Sequence, residues 1–476
     1  MNVIDIIMKW ENQYDFFSQG RVEDFDFYSY LRRELVNTAV NAKNGVSTDP
    51  FESKGQKDTG AKLFFKLLKR NEKPPVKNVD LLILCHPRRQ KEGDKYESVF
   101  TDFLEEEFPN SVTLERLFDD HSHFEPPLTK NICYVDKLTL NSYVYRIMMK
   151  TFHSKEYNEI KTRVQFIMDE PLRELESYLD VPLKRESYFE RATTLFFFRK
   201  YRRQIYSRFL EEVNPRAMVE VVSKSVDALI LNELCRERGI PVIELQHSLL
   251  GPIAKYPEGI VEKESPDYYL SYSDYWSEYQ TYPIKKDHVF SCGSPYFERQ
   301  VAKYKKEKTP HNKIRVLFIS GTAYGEKLST LAVELAKAAG DKVEILYKLH
   351  PDEFGRWAEL YPGLMGGGIK VIDSKDVSIY EYFSDVDAQV GVFSTALYEG
   401  IAFDISTYIL NIPFAAEFID FCRDGYGILV ENGEQLAQSL LNKEKPKKSA
   451  AEITERFWKS NARENIVKTI REITGL

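Results

Sequence analysis

Val343-Glu344-Ile345-Leu346-Tyr347-Lys348-Leu349-His350-Pro351-Asp352, read with Ala388-Gln389-Val390-Gly391-Val392-Phe393-Ser394-Thr395, decides how this chain is understood. In each stretch an apolar run (Val343 to Leu346, Ala388 to Val392) reads as a buried strand, followed by helix-type sequence. Two strand-end loops of this kind in one α/β domain face a common crevice, where open parallel sheets take their ligands. A histidine, a proline that fixes the turn and a hydroxyl pair at a helix start suit a phosphate-bearing ligand. The pattern predicts a nucleotide-activated substrate.

Working outward, the same alternation recurs. Ile314 to Ser320 reads as a strand, Glu326 to Ala339 as a helix and Ile369 to Ile372 as a strand. A short helix, Ile379 to Phe383, precedes Ala388 to Val392, and Ala396 to Ala402 follows it as a helix. Upstream, Val79 to Cys85, Ser111 to Leu114, Ala217 to Val222, Pro241 to Leu245, Tyr268 to Tyr272 and Val289 to Gly293 read as strands, with Ser225 to Arg238 a helix. Strands alternating with helices imply parallel sheets with right-handed crossovers. The polar, lysine-rich stretch 301–313 reads as a linker. The expected organisation is an N-terminal Rossmann-like domain (1–300) carrying a helical extension (1–75) and a helical insert (140–212). A C-terminal Rossmann-like domain (314–455) and a terminal helix (456–476) follow. With 476 residues, two domains are the natural expectation. Ligand sites concentrate at domain interfaces, so a cleft between the two sheets is expected.

Composition narrows the function. A net charge of −7 gives no footprint for bulk nucleic-acid binding. Cys85, Cys133, Cys235, Cys292 and Cys422 lie far apart without a CxxC pair, which predicts reduced thiols and no zinc site. The N-terminus lacks the basic and apolar regions of a signal peptide, and no run has the length of a membrane span. A cytoplasmic protein, with peripheral contact at the inner face of the membrane as an option, is expected.

Further candidates sit at strand ends. His247 follows a strand with Gln246 beside it and Gly251-Pro252 after it; an imidazole of ordinary pKa near 6.5 suits removal of a hydroxyl proton. Glu244 is a second candidate base. His86, Arg88 and Arg89 form another cluster, whose guanidinium forks could clamp an anion. Asp94, Tyr96 and Asp102 follow it. Lys348 precedes His350 by two residues, and Glu399 lies one turn beyond Thr395. Gly321-Thr322-Ala323-Tyr324-Gly325-Glu326-Lys327 has the wrong spacing for a phosphate loop but can border a ligand. Each has a plainer reading: His350 as a loop cap, Ser394 and Thr395 as an N-cap, Lys348 and the arginines as solvated or salt-bridged charges, His247 as a structural histidine. Asp385-Val386-Asp387 has DxD spacing but precedes a buried strand, where carboxylates cap or stay solvated. Leu195 to Arg203, aromatic and basic, could rest on a membrane; the commoner arrangement buries the rings and solvates the charges.

The layout resembles that of GT-B glycosyltransferases of bacterial and archaeal surface polysaccharide synthesis. His350-Pro351 paired with Ser394-Thr395 is similar to the HP and S-S/T motifs of bacterial sialyltransferases, polysialyltransferases and capsule Kdo transferases. Gln246-His247 resembles the Q-H-G turn of capsule and lipopolysaccharide transferases and the W-H-G turn of teichoic-acid polymerases, with Ser248 where those families have glycine. The resemblance implies a metal-independent transferase without cofactor. His350, Pro351, Ser394, Thr395, Glu399, Lys348, Gly321 and Thr322 would bind the nucleotide-sugar donor. His86, Arg88, Arg89 and Gln246 would bind a glycan or lipid-linked glycan acceptor, and His247 or Glu244 would act as base. A CMP-linked acidic sugar is the favoured donor and a UDP-sugar the next. A CDP-polyol phosphotransferase, a nucleotide-sugar epimerase and a non-catalytic binding subunit are the alternatives.

Overall fold

The computed structural model describes residues 3–43, 76–117, 123–248, 255–308, 310–366, 368–412 and 415–476. Part of the expected N-terminal extension and the Gly251-Pro252 bend lie outside the described residues. The chain divides into two units, Met1–Gly293 with Asn461–Leu476, and Ser294–Ser460. The divide therefore falls ahead of the lysine-rich stretch. A helix, Pro295–Tyr304, runs into that stretch, started by Ser294, whose Oγ accepts from the Phe297 N–H at 3.3 Å. The C-terminal stretch is two helices, Ala450–Phe457 and Ala462–Thr474, broken where Asn461 takes a left-handed backbone (φ 61°). Only the second belongs with the first unit.

The first unit holds a seven-stranded parallel sheet. Its strands are β1 (Leu81–Leu84), β2 (Ser111–Glu115), β3 (Ile132–Tyr134), β4 (Ala217–Glu220), β5 (Val242–Leu245), β6 (Tyr268–Ser271) and β7 (Val289–Ser291), in the order β3-β2-β1-β4-β5-β6-β7. Strands buried on both faces need apolar side chains of both parities, and the sequence supplies them. Leu82, Leu84, Val112, Leu114, Met218 and Val242 face a helical layer. That layer includes Val3–Tyr14, Phe27–Lys43, Asp136–Phe152, Ser154–Leu179 and Arg185–Val213. Leu81, Ile83, Ala217, Val219 and Ile243 face the other way, onto Leu104, Phe108 and the last helix through Ile466, Val467 and Ile470.

The second unit holds a six-stranded parallel sheet of β8 (Ile314–Ile319), β9 (Val343–Lys348), β10 (Ile369–Ile372), β11 (Ala388–Gly391), β12 (Ser406–Leu410) and β13 (Ile428–Val430), ordered β10-β9-β8-β11-β12-β13. In their own numbering the first sheet thus runs 3-2-1-4-5-6-7 and the second 3-2-1-4-5-6, the doubly wound order whose direction reverses between strands 1 and 4. The architecture is the expected pair of Rossmann-like α/β units. The sequence reading did not resolve β3, β12 or β13 as strands. β3 and β13 are three residues long, and β12 follows a left-handed turn at Asp404 (φ 57°).

Three sequence features resolve structurally. Leu195 to Arg203 lies inside the helix Arg185–Val213 with Phe196, Phe197 and Phe198 buried. Its arginines pair with Glu233, Asp227 and Glu237, so it is an interior helix. Asp385 pairs with Arg315, and Asp387 accepts from the Arg315 N–H at 2.8 Å; both carboxylates brace β8. All five cysteines are free thiols. Among the described residues no helix is long and apolar enough to cross a membrane.

Candidate functional site

In the second unit, the switch between β8 and β11 is where a ligand of an open α/β sheet belongs. The loops that follow β8, β9 and β11 are tied together there. Tyr324, in the loop after β8, donates its hydroxyl to the Phe393 carbonyl at 2.5 Å. This contact ties the loop that carries Gly321 and Thr322 to the loop that carries Ser394 and Thr395. A Cβ on Gly321 would fall 2.5 Å from the Tyr324 ring, so the ring's position requires glycine there. Gly391 plays a smaller part: a Cβ would press on Leu397 at 3.0 Å, where the strand turns into its helix.

The His350 loop is fastened by Glu353, a fully buried carboxylate. Glu353 Oε2 accepts from the His350 N–H at 2.7 Å, and Oε1 accepts from Ser320 Oγ at 3.0 Å and from the Tyr361 hydroxyl at 2.7 Å. Ser320 is the last residue before Gly321, so Glu353 joins the loops after β8 and β9. His350 Nδ1 accepts from the Asp352 N–H at 3.3 Å. In the neutral ring the proton is therefore on Nε2, a donor on a side chain that is 40% exposed. The capping reading of His350 and the ligand reading are compatible, because the cap uses one nitrogen and leaves the other.

Ser394 caps its helix, Oγ accepting from the Ala396 N–H at 3.2 Å. Pro351 opens the 3₁₀ turn Pro351–Glu353. Lys348 departs from expectation: its Nζ donates to the Ser374 carbonyl and lies 5.2 Å from the centre of the Phe354 ring, so its charge is used in bracing the neighbouring loop. Glu399, half-buried beside the Tyr380 hydroxyl, has its pKa pushed up to about 7 by burial. It lies toward Tyr380 within the unit.

In the first unit the corresponding ends are those of β1 and β4, with β2 and β5 outside them. His86 follows β1 and His247 follows β5; their ring centroids are 5.5 Å apart, with Phe100 at 5.8 and 6.1 Å. His86-Pro87-Arg88 repeats the geometry of His350-Pro351-Asp352: His86 Nδ1 accepts from the Arg88 N–H at 3.0 Å, again leaving the proton on Nε2. Burial, then the nearby Arg88 and Arg116, lower the His86 pKa to about 4. Burial, then His86 and Arg33, lower that of His247 to about 3. Both rings are neutral at pH 7.

Beneath them Glu220 and Glu244 are cross-strand partners on β4 and β5. Burial and mutual repulsion push Glu220 up to about 8, and burial pushes Glu244 up to about 7. Glu244 Oε1 accepts from the Ser223 N–H at 3.2 Å, and Glu220 Oε1 from Asn232 Nδ2 at 3.0 Å. Glu244 is thus a buried member of a carboxyl pair, set below the histidines.

Two expected acceptor ligands are structural. The Arg89 side chain is buried, with Nε donating to Glu115 at 2.6 Å and Nη1 to Thr129 at 2.7 Å, and Asp102 at 3.5 Å. Its guanidinium is ion-paired inside the unit with Glu115 and with Asp102, which belongs to the same knot. Gln246 Oε1 accepts from the Tyr272 N–H at 2.8 Å and Nε2 donates to the Ser248 carbonyl at 3.1 Å, so Gln246 shapes the loop that carries His247. Arg88 is exposed beside His86. Glu353, Tyr324, Phe100 and Glu220 were not singled out from sequence. A strand-end glutamate two residues after His-Pro was the only available signal for Glu353.

No family model matches this chain, and no curated protein matches it. Solved structures similar to it include the UDP-GlcNAc 2-epimerase from Methanocaldococcus jannaschii, at 15% identity over 58% of this chain and 82% of that one, TM-score 0.42. The wall teichoic acid polymerase TagF is similar at 12% identity over 95% and 99%, TM-score 0.44. The S. aureus MnaA–UDP structure is similar at 13% identity over 63% and 86%, TM-score 0.43.

Proposed function

We propose that this chain is a metal-independent transferase that moves a sugar from a nucleotide-activated donor to a surface glycan. What supports the reading is that the loops carrying Gly321 and Thr322, His350, and Ser394 and Thr395 are tied to one another at the switch of the second sheet, through Tyr324 to Phe393 and through Glu353 to Ser320 and the His350 N–H, and that His350 Nδ1 accepts within its own turn. In this reading the second unit binds the donor. His350 Nε2–H, the hydroxyls of Ser394 and Thr395 and the backbone of the Gly321 loop receive the phosphates. Donors already held in place stabilise the charge that builds on the leaving phosphate without reorganising. Pro351 holds the turn, and Glu399 is the carboxyl we assign to hydroxyls of the nucleotide. A CMP-linked acidic sugar is the donor we favour, on the similarity of the His-Pro and Ser-Thr pair to the motifs named above.

The first unit takes the acceptor. His247, neutral at pH 7, has a lone pair for the acceptor hydroxyl proton. Its depressed pKa makes it a weak base in the empty site, and negative charge brought in with substrate strengthens it. His86 and Arg88 flank it.

The test is a thermal-shift screen against CMP, CDP, UMP, UDP, GDP and ADP, repeated on His350→Ala. A ligand that binds only the folded state raises the melting temperature by mass action. One nucleotide should raise it, and the variant should lose the rise. No rise with any nucleotide would overturn the donor assignment.

A further inference from the structure

We propose that Arg116, with His86 and His247, forms a binding site for an anionic group, phosphate or carboxylate, at the strand ends of the first unit. Its identification with the acceptor rests on the function proposed above; the binding itself does not.

The placement comes from strand register. Leu84 of β1 pairs with Leu114 of β2 and with Glu220 of β4, and Glu220 pairs with Glu244 of β5. Carried on by two residues, that register sets Arg116 beside His86, one strand spacing (about 4.8 Å) away. Side chains two apart share a face, so Arg116 and His86 emerge on the side of Leu84, Leu114, Glu220 and Glu244. His247, in contact with His86, completes a row across the switch of the sheet. Open α/β sheets bind at this position.

The chemistry is cationic and unspent. Glu115, the carboxylate next to Arg116, is taken by Arg89 and by His123 at 2.6 Å. Arg116 Nε is buried without a hydrogen-bond partner, and neither Arg116 nor Arg33 is in an ion pair among the described residues. An orphaned buried guanidinium N–H is costly and calls for an acceptor. Among the described residues, Glu220, which feels Arg116, and Glu244, which feels Arg33, are a close pair that resists ionising together. Lys224, the other cation close to Glu244, is taken by Glu262 and donates to Ser265 Oγ at 2.9 Å. Burial is the main cause of the depressed pKa values of both histidines, and Arg116 contributes to each in the same direction. A fork of N–H donors beside the His86 Nε2–H matches the oxygens of a phosphate monoester or diester, or of a carboxylate.

The test uses the full chain and histidine-ring NMR, with the His86 and His247 signals assigned by their loss in His86→Gln and His247→Gln. Inorganic phosphate and acetate are titrated separately. A bound anion should raise the pKa of both rings, by about one unit or more, and the stronger response identifies phosphate or carboxylate as the preferred group. Arg116→Gln should weaken the anion roughly 10- to 100-fold, the loss of one charge-assisted contact. Arg116→Lys, which keeps the charge without the fork, should fall between and covers the case in which Arg116→Gln does not fold. The inference is overturned if neither anion moves either ring. It is equally overturned if the response survives Arg116→Gln, or if it disappears in His350→Ala, which would put the ion in the second unit. A ring response without any nucleotide response would leave this site standing and remove the donor assignment instead.

Discussion

Glu353 gives the sharpest prediction. Its two oxygens divide their duties: Oε1 serves Ser320 and Tyr361, Oε2 serves the His350 N–H. Glu353→Ala removes all three bonds. Ser320 Oγ keeps a second neighbour, the Tyr347 hydroxyl at 3.2 Å, so two donors are orphaned in a buried place. At about 1–3 kcal/mol per orphaned donor, the variant should lose roughly 2–6 kcal/mol. Glu353→Gln can keep its one carbonyl oxygen where Oε1 sits and then turns an N–H₂ toward the His350 N–H. One bond is lost, and the expected cost is about 1–3 kcal/mol. Urea unfolding read by tryptophan fluorescence measures both, because Trp357 and Trp458 lie in the second unit. The ranking of alanine below glutamine below the parent is the result that matters. Equal losses for the two variants, or losses under about 0.5 kcal/mol for both, would refute the division of labour.

Three further outcomes are expected. Glu220 and Glu244 have folded pKa values above those of free carboxyls, so the folded state holds more protons than the unfolded chain between about pH 4.5 and 8. Stability should fall as pH rises through that window, and Glu220→Gln should flatten the fall; an unchanged slope in urea midpoint against pH would contradict the pair. Arg89→Ala leaves Glu115 and Asp102 buried beside an empty place and should cost about 3–5 kcal/mol, measured by chemical unfolding. Gly325→Ala sets a Cβ 2.1 Å from the Tyr361 hydroxyl and 2.8 Å from Glu353. It should destabilise by about 1–3 kcal/mol in the same assay, and a neutral result would show that the Tyr361 ring yields freely.

The fold was legible because periodicity carries it. Val343, Ile345 and Leu346 are apolar at both parities, as in strands covered on both faces, and Ala388, Val390 and Val392 keep the period of two of a strand around Gln389 and Gly391. The loops after them were legible from residue type: His-Pro and Ser-Thr occupy positions where the backbone leaves donors free. What escaped was set by partners distant in sequence. Arg88 and Arg89 are neighbours of the same type, yet one is exposed and the other is locked to Glu115, Asp102 and Thr129. Nothing local distinguishes them, because the choice is made when β2 docks against β1. The two readings of Lys348 could not be separated for the same reason: the Ser374 carbonyl that holds it comes from the loop after β10. Arg116 gave no signal at all, since only strand register reveals that it stands beside His86.

The connectivity of the first unit has a consequence during synthesis. Ile466, Val467 and Ile470 cover one face of its sheet, over Leu81, Ile83, Val219 and Ile243, and they are made only after the whole of Ser294–Ser460. A ribosome adding about 5–20 residues per second spends on the order of ten seconds or more on that intervening stretch. Throughout that interval the nascent sheet lacks the helix that closes it, and an apolar surface of the kind that chaperones bind stays open. The second unit, contiguous in the chain, can finish first. The order of completion is therefore the reverse of the order in which the two units begin.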